Sequence, residues 1–266
     1  VNLITTTTGL VDSGKDFGSG NSPLMKKKSI AMLCGEGTSS SSVGELWYFF
    51  ERELNYPITL INTDNPGPIN LKDYEILILT SGSYSKLKDT IVDYVKRGGR
   101  VIAFENALTV FAGVKTTALA KAIEIRTAEQ KTIEKKVKSD DTTLLKKYEY
   151  ENEKRYALTE RSAGSIYKVK LDDTHPYAFG LGKEWFIMKK TAGYPFLTIG
   201  SNIGYIIDKE PVSGFAGFKY KDKIKNTLVI GTEKIGSGEV IYVTDNPYFR
   251  GFWKSGRVLI GNMVLR

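Results

Sequence analysis

Between residues 29 and 112, short unbroken apolar runs alternate with segments whose apolar residues recur at helical spacing. The runs SIAMLC, PITLI, YEILIL and RVIAF have the length of strands buried on both faces. Between the first two, GELWYFFEREL puts Leu46, Trp47, Phe50 and Leu54 on one side of a helix. Ser42 and Glu45 have the spacing of a capping box at its start. Between the last two, LKDTIVDYVKRGG puts Leu87, Ile91, Tyr94 and Val95 on an inner face, with Gly98 as the stop. Strands separated by such helices predict βαβ units and a parallel sheet, with right-handed crossovers placing helices on both faces.

The rhythm then changes. Residues 113–163 carry charges of both signs and few large aliphatics after Ile133, which predicts one or two exposed helices and a loop inserted at the sheet's edge. The second half is strand-rich. SIYKVKL alternates Tyr167, Val169 and Leu171 with Lys168 and Lys170, the pattern of a half-exposed strand. EWFIM and PFLTIG read as further strands, and NTLVIGTEKIGSGEVIYVTD as a hairpin about a Gly-rich turn. The end, NPYFRGFWKSGRVLIGNMVLR, is an aromatic loop feeding a last helix. Residues 1–28, rich in Thr, Gly, Ser and Asn, form a lead-in with little core, so a single domain is expected over 29–266.

The composition removes several chemistries. The chain has 266 residues, 41% of them hydrophobic, enough for one sizeable core. No apolar run approaches the ~20 residues of a membrane helix. The net charge of +8 comes from lysines interleaved with acids, without a basic helix or zinc-finger spacing, so neither nucleic acid nor a membrane is an expected partner. The one cysteine, Cys34, ends an apolar strand and reads as a small core residue. The one histidine, His175, leaves little room for a zinc hydrolase site or a triad, so no metal site is expected here. The chain starts at Val1 without a signal segment, which reads as a processed or excised part of something longer.

In parallel α/β sheets ligands bind beyond the carboxyl ends of the strands. That rule selects a rim holding Glu36, Asp64, Ser81, Gly82, Glu105 and Asn106. RVIAFENALTVFA, from Arg100 to Ala112, is a strand, a tight turn and a helix start, a junction that in many α/β enzymes carries the nucleophile. Here the turn holds Glu105 and Asn106. A glycosidase-like use of Glu105 would need a second carboxylate ~5–10 Å away, for which Glu36 and Asp64 stand at the same rim. The aromatic loop Tyr248, Phe249, Arg250, Phe252 and Trp253 is a candidate interface, because Trp, Tyr and Arg dominate binding hot spots. Phe249 and Phe252 are expected to point inward, and Arg250 and Trp253 to stay accessible.

Two resemblances add to this reading. EILILTSGS and VIAFENALTVFA resemble the oxyanion turn and nucleophile elbow of class I glutamine amidotransferases, with Ser81 and Gly82 in the Gly-Gly place and Glu105 in place of the Cys. The family's His lies in a His-Pro-Glu run; DDTHPYAF offers His175 and Pro176 but Tyr177, so the role is not carried over. More widely, GLVDSGKDFGSGNSPLMKKKSIAMLCGEG, GELWYFFERELNYPITLI, DDTHPYAFGL, VSGFAGFKYKDKIKNTLVI and GSGEVIYVTDNPYFRGFWKSGRVLIGNMVL resemble the C-terminal amidotransferase-like domain of large bacterial zinc carboxypeptidases of the carboxypeptidase A-like class. The resemblance implies an α/β, flavodoxin-like or class I glutamine amidotransferase-like fold with a parallel sheet, helices on both faces and a strand-rich second half. It implies a non-catalytic accessory domain, no catalytic residue, and no cofactor in this chain, zinc belonging to an upstream peptidase domain of the same polypeptide. That domain would be the partner, and the location periplasmic or extracellular. A small-ligand or carbohydrate-binding module, or a hydrolase using Glu105, stands as the alternative.

Overall fold

The computed structural model describes residues 4–20, 25–64, 70–140, 153–191 and 193–266. Part of the charged insertion, residues 141–152, lies outside them. The first half folds as its periodicity dictates. Strands β1 (Ile30–Cys34), β2 (Thr59–Asn62), β3 (Ile76–Leu79) and β4 (Arg100–Phe104) pair in parallel, with helices α1 (Ser40–Tyr48) and α2 (Lys88–Lys96) as crossovers. Consecutive side chains on a strand face opposite ways, so each strand feeds two cores. Ile30, Met32, Ile76, Ile78, Ile102 and Phe104 join one; Ala31, Leu33, Leu77, Leu79, Val101 and Ala103 join the other. Helix α1 and the C-terminal helix α7 (Lys254–Leu265) cover the first face. Helix α2, the short α3 (Thr109–Ala112) and the start of α4 (Ala118–Asp140) cover the second.

The sheet does not stay parallel. After β4 comes β9 (Gly238–Val243), still parallel, and then β8 (Thr227–Ile235), β7 (Ser201–Ile206), β5 (Ser165–Leu171) and β6 (Glu184–Lys189), all antiparallel to their neighbours. The result is one nine-stranded sheet in the order β2-β1-β3-β4-β9-β8-β7-β5-β6. The β8–β9 hairpin joins the two halves, because β9 pairs with β4 on one side and β8 on the other. Helices α5 (Glu153–Thr159) and α6 (Phe218–Ile224) flank the antiparallel part.

Four local expectations need correction. The N-cap of α1 is Ser39, whose hydroxyl accepts from the Ser42 amide, and Glu45 does not reach back to it. Past Tyr48 the helix continues as a π-helical turn, Phe49–Glu53, closed by the Leu54 amide on the Phe49 carbonyl at 3.0 Å. Leu46, Phe49 and Phe50 form the buried face, so Trp47 beside Leu46 is exposed, and the extra residue in the turn carries Leu54 out of that face as well. PFLTIG is not a strand; the strand is SNIGYI just after it, where Gly204 breaks the apolar alternation. The insertion does not begin at the sheet's edge, since the first amides of α4 bond to Glu233 of β8, well inside the sheet.

Candidate functional site

Strand β4 ends at Phe104, and the next residue, Glu105, has φ +51°. A non-glycine residue in the left-handed region costs roughly 1–2 kcal/mol and persists where surrounding packing enforces it. Here a 3₁₀ turn, Glu105–Leu108, buries Ala107 and Leu108 and runs straight into α3. Glu105 is thereby presented at the carboxyl end of the sheet on a sharp strand-to-helix elbow. On the adjoining strand end, Gly82 bridges to Thr38, and the Ser81 carbonyl accepts the Ser39 amide at 2.8 Å. The Ser81 hydroxyl is near enough to the Glu105 carboxylate to favour its charged form.

The second carboxylates at this elbow are not the expected ones. Glu36 is exposed and faces Lys86 at 3.6 Å, and Asp64 accepts the Glu36 amide. Asp245, just beyond β9, and Glu45 of α1 are the acids that act on Glu105. Burial pushes the Glu105 carboxyl above its ordinary range, and the Asp245 and Glu45 charges push the same way; the Ser81 hydrogen bond and the Lys190 charge oppose them. Asp245 is itself buried, takes a hydrogen bond from Lys189, and lies 2.7 Å from the Thr244 hydroxyl. Lys189 is fully buried although β6 is an edge strand, because it continues the inward register of Trp185 and Ile187. The run EWFIM stops at Met188, and one more step of its alternation places Lys189 in the core.

A raised folded-state pKa means that the native chain holds a proton the unfolded chain has released. Between the ordinary carboxylate value, about 4.3, and the raised value, stability therefore falls as pH rises. Glu105→Gln removes that loss while keeping the size and shape of the side chain. The variant should match the wild type below pH ~4 and become the more stable of the two as pH climbs through the raised value. Denaturant midpoints across a pH series check this; an absent gap would show that Glu105 titrates normally, and a reversed one that its carboxylate is stabilised in the fold.

Beyond β9 the chain reads Asn246-Pro247-Tyr248, beside the elbow. Asn246 Nδ2 donates to Glu45 Oε2 at 2.6 Å, and the Arg250 amide donates to Glu45 Oε1 at 3.0 Å, so Glu45 fastens the aromatic loop. Tyr248 is buried with its ring centroid 5.2 Å from that of Phe49. Gly256 permits this packing, since a Cβ there would stand 1.8 Å from the Pro247 carbonyl oxygen. Phe252, expected inward, is 72% exposed; Tyr248 fills the interior instead. Arg250, at φ +52°, is exposed, while Phe249 and Trp253 are half-buried, with Lys190 Nζ 3.7 Å above the Phe249 ring.

His175 is remote from all of this. It caps a 3₁₀ turn through Nδ1, which accepts the Tyr177 amide at 3.2 Å. Tyr177 in turn donates to Glu239 at 2.6 Å, and Glu239 pairs with Arg100, both at the amino ends of their strands. A cleft of about 870 Å³ opens at that end, but Lys28–Glu75 and Arg100–Glu239 pair within it. Cys34 lines a shallow apolar groove of about 370 Å³ with Val43, Trp47 and Leu60, and burial raises its thiol, which disfavours a reactive thiolate. Among the described residues no group of three or more His, Cys, Asp and Glu is placed to hold a metal ion, and no helix is long and apolar enough to cross a membrane.

A cleft of about 470 Å³ adjoins Glu105. Its walls are Asn106 and Thr244 at the strand ends, Arg126, Thr127 and Gln130 of α4, and Thr191, Gly193, Tyr194 and Pro195 with Lys223 of α6. The mixed charges of α4 have the pattern of a solvated face, which hides its place as a wall.

No family profile and no curated protein matches the sequence. Solved structures do match its shape. A GMP synthase component from Thermoplasma acidophilum superimposes with a TM-score of 0.51 at 10% identity, covering 89% of this chain and 92% of its own. A ThuA-like protein from Bacteroides uniformis gives 0.49 at 13%, covering 90% of each chain. A glutamine amidotransferase from Thermotoga maritima gives 0.49 at 8%, covering 91% of this chain and all of its own. With the parallel β2-β1-β3-β4-β9 core, helices on both faces and the elbow after β4, the chain has the class I glutamine amidotransferase-like fold.

Proposed function

We propose that this chain is an amidotransferase-like domain without acyl-transfer chemistry, serving as an accessory module that supports or orients the peptidase module of an exported bacterial zinc carboxypeptidase. The observation that carries the loss of chemistry is the elbow itself. The left-handed position after β4 holds a carboxylate, a weak nucleophile at neutral pH. The charged neighbours of the elbow are Asp245, Glu45 and Lys190, none of them an imidazole, and His175 caps a turn beside Glu239 at the amino ends of the strands. The accessory role rests on the wider sequence resemblance and on the exposed Phe252 and Arg250 beside half-buried Trp253. Zinc, the peptidase partner and the periplasmic or extracellular location belong to the same reading.

The test has two arms. The chain with millimolar glutamine should release no ammonia above background; release that Glu105→Gln abolishes would overturn the loss of chemistry. In the full polypeptide, deleting this domain, or changing Trp253→Ala, should lower the peptidase module's thermal stability or its kcat/KM severalfold. An unchanged peptidase in both forms would remove the accessory role.

A second reading, a small-ligand site on the rim, is favoured by one feature: the cleft against Glu105 is open, and side chains of α4 and α6 line it.

A further inference from the structure

Arg126 decides what that cleft is suited to hold. It stands on the third turn of α4, half-buried, and its guanidinium ties three segments together. Nη1 donates to the Gly193 carbonyl at 3.0 Å and Nη2 to the Lys223 carbonyl at 2.7 Å. A guanidinium has five N–H donors, and among the described residues two of them are used. None of the ion pairs among the described residues involves Arg126. Burial already works against its charge. A partly desolvated cation without a counter-ion is costly unless an anion reaches it.

The rest of the wall fits the same need. Lys223 adds a second positive charge, only partly met by Glu160 at 3.5 Å. Among the described residues Glu105 is the one acid on the wall, at the strand ends, where Ser81 and Lys190 both favour its charged form. Thr127, Gln130, Thr191 and Asn106 add further polar residues to the lining. The volume, about 470 Å³, falls within the ~300–1,000 Å³ of small-molecule sites.

We propose that this cleft binds a small carboxylate-bearing group, its carboxylate on Arg126 and Lys223 and an N–H or O–H donor toward Glu105. The proposal rests on the rim-ligand reading above and gives it a ligand chemistry. An arginine fork matches a carboxylate in plane, with two parallel charge-assisted bonds that a neutral amide cannot reproduce. The same chemistry is offered by a free amino acid and by the C-terminus of a peptide.

The experiment titrates the chain with N-acetyl-Ala-Ala, with the same dipeptide as its C-terminal amide, and with free alanine, following backbone and Arg side-chain resonances by NMR. The free-acid dipeptide or alanine should shift resonances of residues 105–106, 126–130, 191 and 193–195 and bind about ten- to hundredfold more tightly than the amide. Which of the two binds better identifies a chain end or a free amino acid. Arg126→Lys, which keeps the charge but loses the fork, should weaken the acid about tenfold and leave the amide unchanged. Equal binding of acid and amide at these residues would overturn the carboxylate inference and keep the rim as a ligand site. No shift at these residues with any probe up to 10 mM, or with a neutral disaccharide run alongside, would overturn both.

Discussion

Replacing Lys189 by Met should destabilise the domain by about 3–5 kcal/mol at neutral pH, the cost of breaking a buried ion pair from one side. Lys189 is completely buried and Asp245 nearly so, and Lys189 Nζ is the cation bonded to the Asp245 carboxylate. Met fills most of the volume, so the loss comes from an unpaired charge rather than from a cavity. The stranded Asp245 would then share its pocket with Glu105, whose charge already couples to it. The same pair joins the end of edge strand β6 to the end of central strand β9, so the variant should also loosen the antiparallel extension. Urea midpoints, followed by the fluorescence of buried Trp185, measure the effect. The double variant Lys189→Met with Asp245→Leu should recover most of the loss, since replacing a buried pair by apolar groups is often neutral. A single variant within about 1 kcal/mol of wild type would mean that the pair is not buried in solution.

The parallel half of the fold was legible because its information is local. Ile30 to Leu33, Ile76 to Leu79 and Val101 to Phe104 are apolar at every position, which only a strand covered on both faces requires. The alternation in β5 was equally plain, with Tyr167, Val169 and Leu171 inward. What failed was registered elsewhere. Glu45 has the right type and spacing for a capping box, but its partners, Asn246 and the Arg250 amide, lie more than 200 positions away and offer stronger bonds. Leu54 keeps helical spacing from Phe50, yet the π turn shifts it out of the core.

The site divides in the same way. The elbow at Glu105 and its neighbour Ser81 follow from two adjacent strand ends, so the order of strands brings them together. The acids beside Glu105 were not visible, because Asp245 reaches it only through the pairing of β9 with β4. Position on the rim misdirected the choice toward Glu36, which ends on the surface beside Lys86. Arg126 sat inside a charged stretch, where nothing distinguishes a cation that faces a cleft from its solvated neighbours.

Glu233→Ala should cost about 3–5 kcal/mol and should act on the cleft from a distance. Glu233 is a buried carboxylate in the middle of the sheet. It accepts the Ala118 amide at 2.7 Å, the Leu119 amide at 3.5 Å and the Tyr242 hydroxyl at 2.5 Å. A helix leaves its first amides without internal partners, and α4 has no acid of its own in the first turn. Thr117 meets one of these amides, that of Ala120 at 3.1 Å, and Glu233 meets those of Ala118 and Leu119. Its charge also sits at the positive end of the helix dipole. Alanine would orphan at least two buried donors, each worth about 1–3 kcal/mol. Gln keeps an acceptor and gives up the charge, so it should cost about 1 kcal/mol. Because α4 carries Arg126, Thr127 and Gln130 into the cleft two turns later, releasing its first turn should let that wall move. Hydrogen exchange would show this as faster exchange at Ala118 and Leu119 in the alanine variant, while β1 and β3 keep their protection. If exchange instead rises uniformly along the sheet, Glu233 holds the core together rather than the helix, and α4 owes its position to other contacts.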